Sequence, residues 1–587
     1  MKPKAKEQAE EAAFQCFVNS YLREIEEGTV LPVNGWPEGI SSAVKEVREL
    51  WLHCRSSSCL VELSYCSLAG RHTLGNAWQK QGNGQWRPME KMLFLIVLIE
   101  ELHYREKDFS HYEQLLSRVL ESAATTERYV EYSERDLFHQ PDTFIEGEQS
   151  LLFGHWMHPS PKSRYGMAYW QHQLYAPELK GRFQLHLFYA HFDWIEESAA
   201  GDLSVEAIIK EDFPDYPGYR AVPMHPLQAK WLLQQEWVAE ALQNKQLLYE
   251  GAAGPFFTAT SSVRTVYSEK SRWMFKFSLP VHITNSLRVN KRHELTSGIS
   301  MVHLAEKLAV TDHWPSFQMI KDPAYITIGN AGQPESGFEV IIRENPFISG
   351  KDRSVFSVAA LVQEQPYGKE SVLTATIKRL AAKEHLDLNR AAMNWFRRYW
   401  ETAIEPLLAI YDRYGIALEA HQQNSLLYLE EDWPALYYYR DNQGFYLSKD
   451  YQKGLAAIEP SLKQNPFLFY EDSLIQERFF YYLFINQLFA VVHRMGADQL
   501  ITEDQLLDWT AQRLADLKGE MTGAGNRFID YILKEKEIAC KANLLTRLQD
   551  VDELEEELEQ AVYTQMKNPL SARFYTEKGE QYEAALL

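Results

Sequence analysis

Residues 258–288, TATSSVRTVYSEKSRWMFKFSLPVHITNSLR, alternate apolar with polar or basic positions at the two-residue period of a strand. Val263, Thr265 and Tyr267 fall on one face of a predicted strand, with Ser262, Arg264 and Val266 on the other. A second run places Trp273, Phe275, Phe277 and Leu279 on an apolar face and Lys276 opposite them, among Met274 and Ser278. The two runs predict a hairpin. A loop with an odd number of residues sets Arg264 directly across from Lys276, where like charges repel unless an anion lies between them, and an even loop separates them. The bland alternative is a half-buried hairpin whose Ser, Arg and Lys side chains face water.

Elsewhere the period is that of helices. Ala9–Glu26, Val44–Leu52 and Met89–Tyr104 predict a mostly helical stretch over residues 1–130. From about 145 to 350 the pattern is mixed, with strand alternation in Phe183–Tyr189 and Phe338–Ile342. A helix over 227–250 is announced by His225-Pro226 and stopped at Gly251. From 351 onward helices dominate again around two strand-rich stretches, 415–429 and 435–448. The expectation is a mixed α+β chain of three lobes: a helical N-terminal lobe (1–140), a central lobe (141–350) and a C-terminal helical lobe with strands (351–587), the last two enclosing a cleft. The acidic run Asp552–Glu559 carries Leu554 and Leu558 at helical spacing and predicts a solvated helix face.

Composition narrows the classes. With 45% hydrophobic and 13% aromatic residues in 587, the chain is globular and large enough for several lobes. A formal charge of −21 argues against nonspecific nucleic-acid binding and against docking on anionic membrane, which both need clustered cations. The longest apolar run, Met92–Ile99, is far shorter than the ~20 residues of a membrane span. The first residues lead into a charged helix without the apolar core of a secretion signal, which predicts a cytoplasmic protein. Five cysteines are few and odd in number, so reduced thiols are expected; the spacing of Cys54, Cys59 and Cys66 matches neither a zinc pair nor an iron–sulfur signature. No G-x-x-x-x-G-K-[ST] sequence is present, since Gly350-Lys351 lacks the earlier glycine. Any nucleotide would have to be held by scattered side chains.

Gly154-His155-Trp156-Met157-His158-Pro159-Ser160-Pro161-Lys162-Ser163-Arg164-Tyr165-Gly166, the hairpin, Glu419-Ala420-His421-Gln422-Gln423-Asn424 and Arg440-Asp441 stand in an order that resembles the IucA/IucC family, over about residues 145–550. Members of that family build siderophores without a peptide-synthetase assembly line, joining citrate or a related carboxylic acid to an amine or alcohol at the expense of ATP. The resemblance implies a three-lobed siderophore-synthetase fold, a homodimer, and attack of the carboxylate on the α-phosphate of ATP to give an acyl-adenylate that the amine then captures. It places His158, Lys162, Ser262, Arg264, Thr265, Lys276, Arg343 and Gln423 at ATP, and Thr284, Arg288, His421 and Lys541 at citrate. Arg288, His421 and Lys276 are the implied catalytic groups. The family more often has proline where Trp156 stands, which puts the shape of that loop in doubt.

The side chains suit these tasks. Arginine forks and lysine point charges bind phosphate oxygens. Thr284 and Arg288 would share a face if the segment turns helical after Pro280. Strand alternation would bring Glu419, His421 and Gln423 together, with His421 either a donor to the substrate carboxylate or a base toward the ammonium. Glu419, Asn424 and Asp441 offer the hard oxygens that Mg²⁺ accepts, although Asp441-Asn442-Gln443-Gly444 also suits a plain hairpin turn. Lys541, taken alone, would ordinarily face solvent, and Arg343 follows the strand pattern Phe338–Ile342.

The leading expectation is an AMP-forming citrate–amine ligase of siderophore assembly, and Ala9–Glu24 resembles members that use a polyamine or diamine. A citryl monoamide, 2-oxoglutarate or succinate remains open as the acid. A phosphotransferase releasing ADP is the competing enzyme class. A ferric-siderophore reductase would need a cysteine cluster near the C-terminus, where only Cys540 stands.

Overall fold

The computed structural model of the protein describes residues 4–135, 140–329, 334–552, 561–571 and 573. Helix α1 (Ala5–Glu24) buries Phe14, Phe17, Val18 and Tyr21 in a cluster shared with α2 (Lys91–Glu106) and α3 (Tyr112–Arg135). Between α1 and α2 the structure departs from the helical reading. A five-stranded antiparallel sheet runs in sequence order through β1 (Thr29–Val30), β2 (Glu46–Leu52), β3 (Ser57–Tyr65), β4 (Thr73–Lys80) and β5 (Trp86–Met89). Val47 and Leu50 stand at helical spacing, but so short an apolar run fits either period. Ladder pairing with β3, from Glu46↔Leu63 to Leu52↔Ser57, decides for the strand and buries Val47, Leu50 and Leu52.

Helix α4 (Phe144–Gln149) leads into the central region. It contains β6 (Arg164–Tyr165), β7 (Phe183–His191), β8 (Ile195–Ala199), β9 (Tyr219–Met224), β10 (Leu247–Ala259), β11 (Thr265–Tyr267), β12 (Trp273–Phe277), β13 (Leu279–Ile283), β14 (Ser286–Arg288), β15 (Phe317–Met319), β16 (Ala324–Ile328) and β17 (Val340–Glu344). Eight of these form one antiparallel sheet in the order β8-β16-β17-β12-β11-β10-β7-β9. Leu187, Phe257, Phe275, Phe277 and Ile342 fill the core beneath it. The predicted alternation in Phe183–Tyr189 is therefore strand, as is that around Phe275.

The single helix expected over 227–250 is instead two short helices, Pro226–Leu232 and Glu236–Gln243, followed by β10. Its start is as read, with Pro226 in the first turn and His225 Nδ1 accepting from the Leu227 backbone N–H at 3.1 Å. Lys245 then takes a left-handed φ of 56°, and Leu247 and Leu248 pair with Ala190 and Tyr189 rather than continue a helix. Gly251, read as the stop, lies within the strand at a register shift.

After β18 (Val355–Ser357), helices surround β19 (Ile416–Leu418), β20 (Ser425–Glu430), β21 (Trp433–Tyr439) and β22 (Phe445–Ser448). Trp395, Tyr399, Trp400 and Phe484 anchor an apolar cluster that reaches back to Met157 and Phe317. No helix among the described residues is long and apolar enough to cross a membrane. The acidic helix expected at Asp552–Glu559 lies, beyond Asp552, outside the described residues.

Buried histidines make the fold acid-sensitive. Burial pushes the imidazoles of His158 and His225 down to about 3, and those of His72, His172 and His493 to about 4. They stay neutral in the native state but take up protons near pH 6.5 once unfolded. Their contribution is therefore complete above pH 6.5 and is lost as the pH falls toward 3–4. The melting temperature should hold nearly level from pH 7.5 to about pH 6.5 and fall from there toward about pH 5 at constant ionic strength, whereas a flat or rising profile below pH 6.5 would contradict neutral burial.

Candidate active site

The hairpin forms, with the even-loop outcome. Thr265 pairs with Lys276 and Val266 with Phe275, so Arg264 lies across from Phe277, whose N–H donates to the Arg264 carbonyl at 2.9 Å. The alternation expected over 262–267 does not extend to its first residues. Ser261 and Ser262 form a turn, Val263 takes φ 66°, and the strand begins at Thr265. Ser262 Oγ holds the turn by accepting from the Thr265 N–H at 3.1 Å. The Arg264 guanidinium is fixed by one donor to Asn290 Oδ1 at 2.9 Å.

Lys276 and Arg343 project from adjacent strands, since Met274 pairs with Arg343 between β12 and β17. Lys276 Nζ donates to Asp441 Oδ1 at 2.5 Å and to Gln443 Oε1 at 2.8 Å. Arg343 grips Asp322 with two parallel bonds, Nε to Oδ1 at 2.5 Å and Nη2 to Oδ2 at 2.7 Å, and reaches Asp441 Oδ1 at 3.3 Å. Residues from two distant stretches of chain thus form one charge cluster. Burial alone would raise the Asp441 carboxyl, but Lys276, Arg343 and Arg264 hold it well below the usual carboxylate range. Burial pulls the Lys276 ammonium down against the opposing pull of Asp441. Arg264, Lys276 and Arg343 thus stand with the Asp322 and Asp441 carboxylates in one cluster of charged donors and acceptors.

Asp441 takes φ 89°, and the turn at 441–444 is not a hairpin: β21 pairs with β20 and β22 with β19, so the chain passes from one sheet to another there. β19 stops at Leu418, and residues 419–424 turn back on themselves instead of alternating, with the His421 N–H donating to Glu419 O and the Asn424 N–H to His421 O, both at 2.9 Å. Asn424 Nδ2 donates to Glu419 O at 3.2 Å, and Glu419 Oε1 accepts from the Tyr446 hydroxyl at 2.7 Å. The Glu419 N–H in turn donates to Gly444 O at 2.9 Å, which brings Glu419 and Asn424 to the Asp441 turn. Two carboxylates and an amide oxygen fit Mg²⁺, which takes oxygen donors and leaves its other positions to water and phosphate. Among the described residues no group of three or more His, Cys, Asp or Glu side chains forms a metal cage.

The Thr284–Arg288 pair comes together through a different element from the one expected. The segment is a β-hairpin, β13–β14, with Thr284 at φ 58° in its turn. Arg288 Nη2 donates to Thr284 Oγ1 at 2.8 Å and to the Ile283 carbonyl at 2.9 Å. His421 is half-buried. Its Nδ1 accepts from the Gln423 N–H at 3.3 Å, which leaves the proton on Nε2, and burial pushes the imidazole down to about 3. Lys541 is buried at the end of the strand Glu537–Lys541, and its charge acts on both His421 and Tyr481.

His158 and Lys162 are both buried. His158 Nδ1 accepts from the Ser160 N–H at 3.1 Å, so Nε2 carries the proton and donates to Asn285 Oδ1 at 2.8 Å, in the turn beside Thr284. Lys162 Nζ donates to the Leu151 carbonyl and, at 2.6 Å, to Glu178 Oε1, which also takes Arg164 at 2.6 Å. Burial alone would raise the Glu178 carboxyl, but Arg164 and Lys162 hold it down at about 2. Gly154 makes room for this lysine: at φ 77° a Cβ there would meet its Cε at 2.9 Å. Trp156, the departure from the family pattern, is buried beneath the Arg71 guanidinium, 5.1 Å from the ring centre.

Sequence reasoning passed over Glu148, Asn285, Asn290 and Asp322, all buried polar residues that orient the site. None carries a motif signal, because a lone acid or amide in a mixed segment is ordinarily solvent-facing.

Residues 143–363 match the IucA / IucC family, and residues 393–556 match the ferric iron reductase FhuF-like transporter family. The spermidine-citrate ligase of Bacillus anthracis is 38% identical over 594 residues, covering 96% of this chain and 98% of its own. The N(2)-citryl-N(6)-acetyl-N(6)-hydroxylysine synthase of Vibrio mimicus is 28% identical over 593 residues, 96% of this chain and 95% of its own. The ATP-bound aerobactin synthetase IucA from a hypervirulent pathotype of Klebsiella pneumoniae superposes with a TM-score of 0.86 at 25% identity, covering 95% of this chain and 99% of that one.

Proposed function

The chain belongs to the IucA/IucC family of siderophore synthetases, and on that footing we propose that it is an ATP-dependent, AMP-forming ligase that adenylates a carboxylate of citrate and condenses it with a polyamine or diamine. The observation that carries the reading is the junction of the hairpin cations with the 419–441 oxygen donors, through Lys276 Nζ and Asp441 Oδ1 at 2.5 Å. The similarity to a spermidine-citrate ligase and to an ATP-bound synthetase supports the substrates. The working division of the chain is the three lobes 1–140, 141–350 and 351–587, and a cytoplasmic homodimer completes the proposal.

Arg264, Lys276 and Arg343 would neutralise the phosphates, aided by Ser262, Thr265, Gln423, His158 and Lys162. Thr284, Arg288, His421 and Lys541 would orient citrate so that one carboxylate oxygen lies in line with the α-phosphorus. That oxygen bonds to phosphorus as the α–β phosphoanhydride breaks and pyrophosphate leaves. The amine nitrogen then bonds to the acyl carbon, AMP departs, and an ammonium proton passes to solvent. Mg²⁺, held by Glu419, Asn424 and Asp441, would supply positive charge at the phosphates. With Nδ1 accepting from the Gln423 N–H, His421 carries its proton on Nε2, which suits a donor to the citrate carboxylate and leaves that nitrogen no lone pair to act as a base toward an ammonium.

The test is pyrophosphate and ADP release from MgATP with citrate, 2-oxoglutarate, succinate or a citryl monoamide, each against spermidine and a panel of diamines, with mass detection of the amide. Citrate-dependent pyrophosphate and a citryl-polyamine mass are expected. ADP in place of pyrophosphate would favour phosphotransfer. The reductase alternative requires a cysteine cluster, and residues 393–556 contain only Cys540.

A further inference from the structure

The last turn of α4 carries Glu148, whose side chain is wholly enclosed. Arg440 Nη2 donates to its Oε1 at 3.0 Å and its Oε2 at 3.1 Å, while the Ser261 N–H and Oγ donate to Oε2 at 2.9 and 2.8 Å. Arg440 faces the other way as well. Its Nε donates to the Gln423 carbonyl at 3.0 Å and its backbone N–H to the Asn424 carbonyl at 3.0 Å. Gln423 Nε2 closes the circuit on Ser261 Oγ at 3.0 Å. One carboxylate therefore joins the turn that carries Ser262 and Arg264 to the loops that carry Gln423, Asn424 and Asp441, with Glu148 itself 292 residues from Arg440 in sequence.

We propose that Glu148 is a positioning residue which, through Ser261 and Arg440, sets the spacing between the phosphate-binding turn and the metal- and citrate-binding loops. The inference rests on the ligase reading above. The side-chain hydrogen bonds of Glu148 go to Ser261 and Arg440, each one residue from a proposed ligand, and not to Lys276 or Asp441. An enclosed ion pair kept only for stability would have no reason to bond the backbone of both loops. A buried arginine left opposite a neutral residue is costly, so a well-placed pair whose carboxylate accepts four hydrogen bonds from three donor atoms is the arrangement such a junction demands. Small displacements matter here, since a misplacement of about 1 Å can reduce turnover about 10²-fold.

The experiment compares wild type, Glu148→Gln, Arg440→Lys and the uncharged double variant Glu148→Gln/Arg440→Gln in citrate-dependent pyrophosphate release, with melting temperatures in parallel. The double variant removes both charges together and guards against simple misfolding. Positioning predicts that kcat/KM for MgATP falls about 10²-fold in Glu148→Gln and in the double variant, with KM for citrate within about twofold of wild type, and that Arg440→Lys, which keeps the charge opposite Glu148, loses less. A double variant that melts at a lower temperature yet keeps wild-type kcat/KM for MgATP overturns the positioning role. Equal losses on the citrate and nucleotide sides, tracking the melting temperature, overturn it too. A wild-type protein that releases no pyrophosphate with any acid overturns the ligase reading itself, and the positioning role falls with it.

Discussion

Lys276→Met is expected to lower kcat/KM for MgATP about 10²–10³-fold in citrate-dependent pyrophosphate release, the range seen when one positioned donor to developing charge is removed. Methionine keeps most of the buried stem and deletes only the ammonium that meets Asp441 at 2.5 Å and Gln443 at 2.8 Å. Breaking a fully buried pair costs about 3–5 kcal/mol. Asp441 retains Arg343 at 3.3 Å and its side chain is 26% exposed, so the stability loss should fall below that range. The variant should therefore fold and melt cooperatively while losing activity. A folded Lys276→Met protein within tenfold of wild type would remove this lysine from the phosphate site.

Arg288→Lys should be nearly as damaging, by about 10²-fold in kcat/KM for citrate, with KM for MgATP within about twofold of wild type. One nitrogen of the Arg288 fork is used locally, holding Thr284 Oγ1 and the Ile283 carbonyl at 2.8 and 2.9 Å and so fixing the plane in which the fork is presented. A lysine supplies a point charge without that plane and cannot both hold the turn and pair a carboxylate bidentately. Steady-state kinetics with citrate and MgATP varied in turn separate the two sides. Loss confined to the MgATP parameters would move Arg288 to the nucleotide side.

Short motifs proved more legible than the elements that carry them. The hairpin at 265–277 was readable because Phe275 and Phe277 alternate with Met274 and Lys276, a period intrinsic to the extended backbone. Its parity was not, because register depends on turn geometry and on the neighbouring strands β10 and β17. Thr284 and Arg288 were paired correctly through the wrong element, since positions four apart meet on a helix and can also meet around a tight β-turn. The helical reading of Val44–Leu52 failed where partner strands, not local period, choose the conformation.

The amino-acid sequence by itself determined the mixed α+β class, the apolar faces of the central strands and the kinds of side chain available for phosphate, carboxylate and metal. Those are local properties: backbone period, side-chain chemistry and the order of motifs along the chain. Only the tertiary structure decided that Lys276 meets Asp441, that Arg343 closes on Asp322, that His158 meets Asn285 and Lys162 meets Glu178, and that Glu148 holds both Ser261 and Arg440. These contacts span 16 to 292 residues of sequence, and each depends on burial that withdraws at least one partner from water. No local pattern encodes which distant charge will be waiting when a side chain is buried, so that choice belongs to the packed fold.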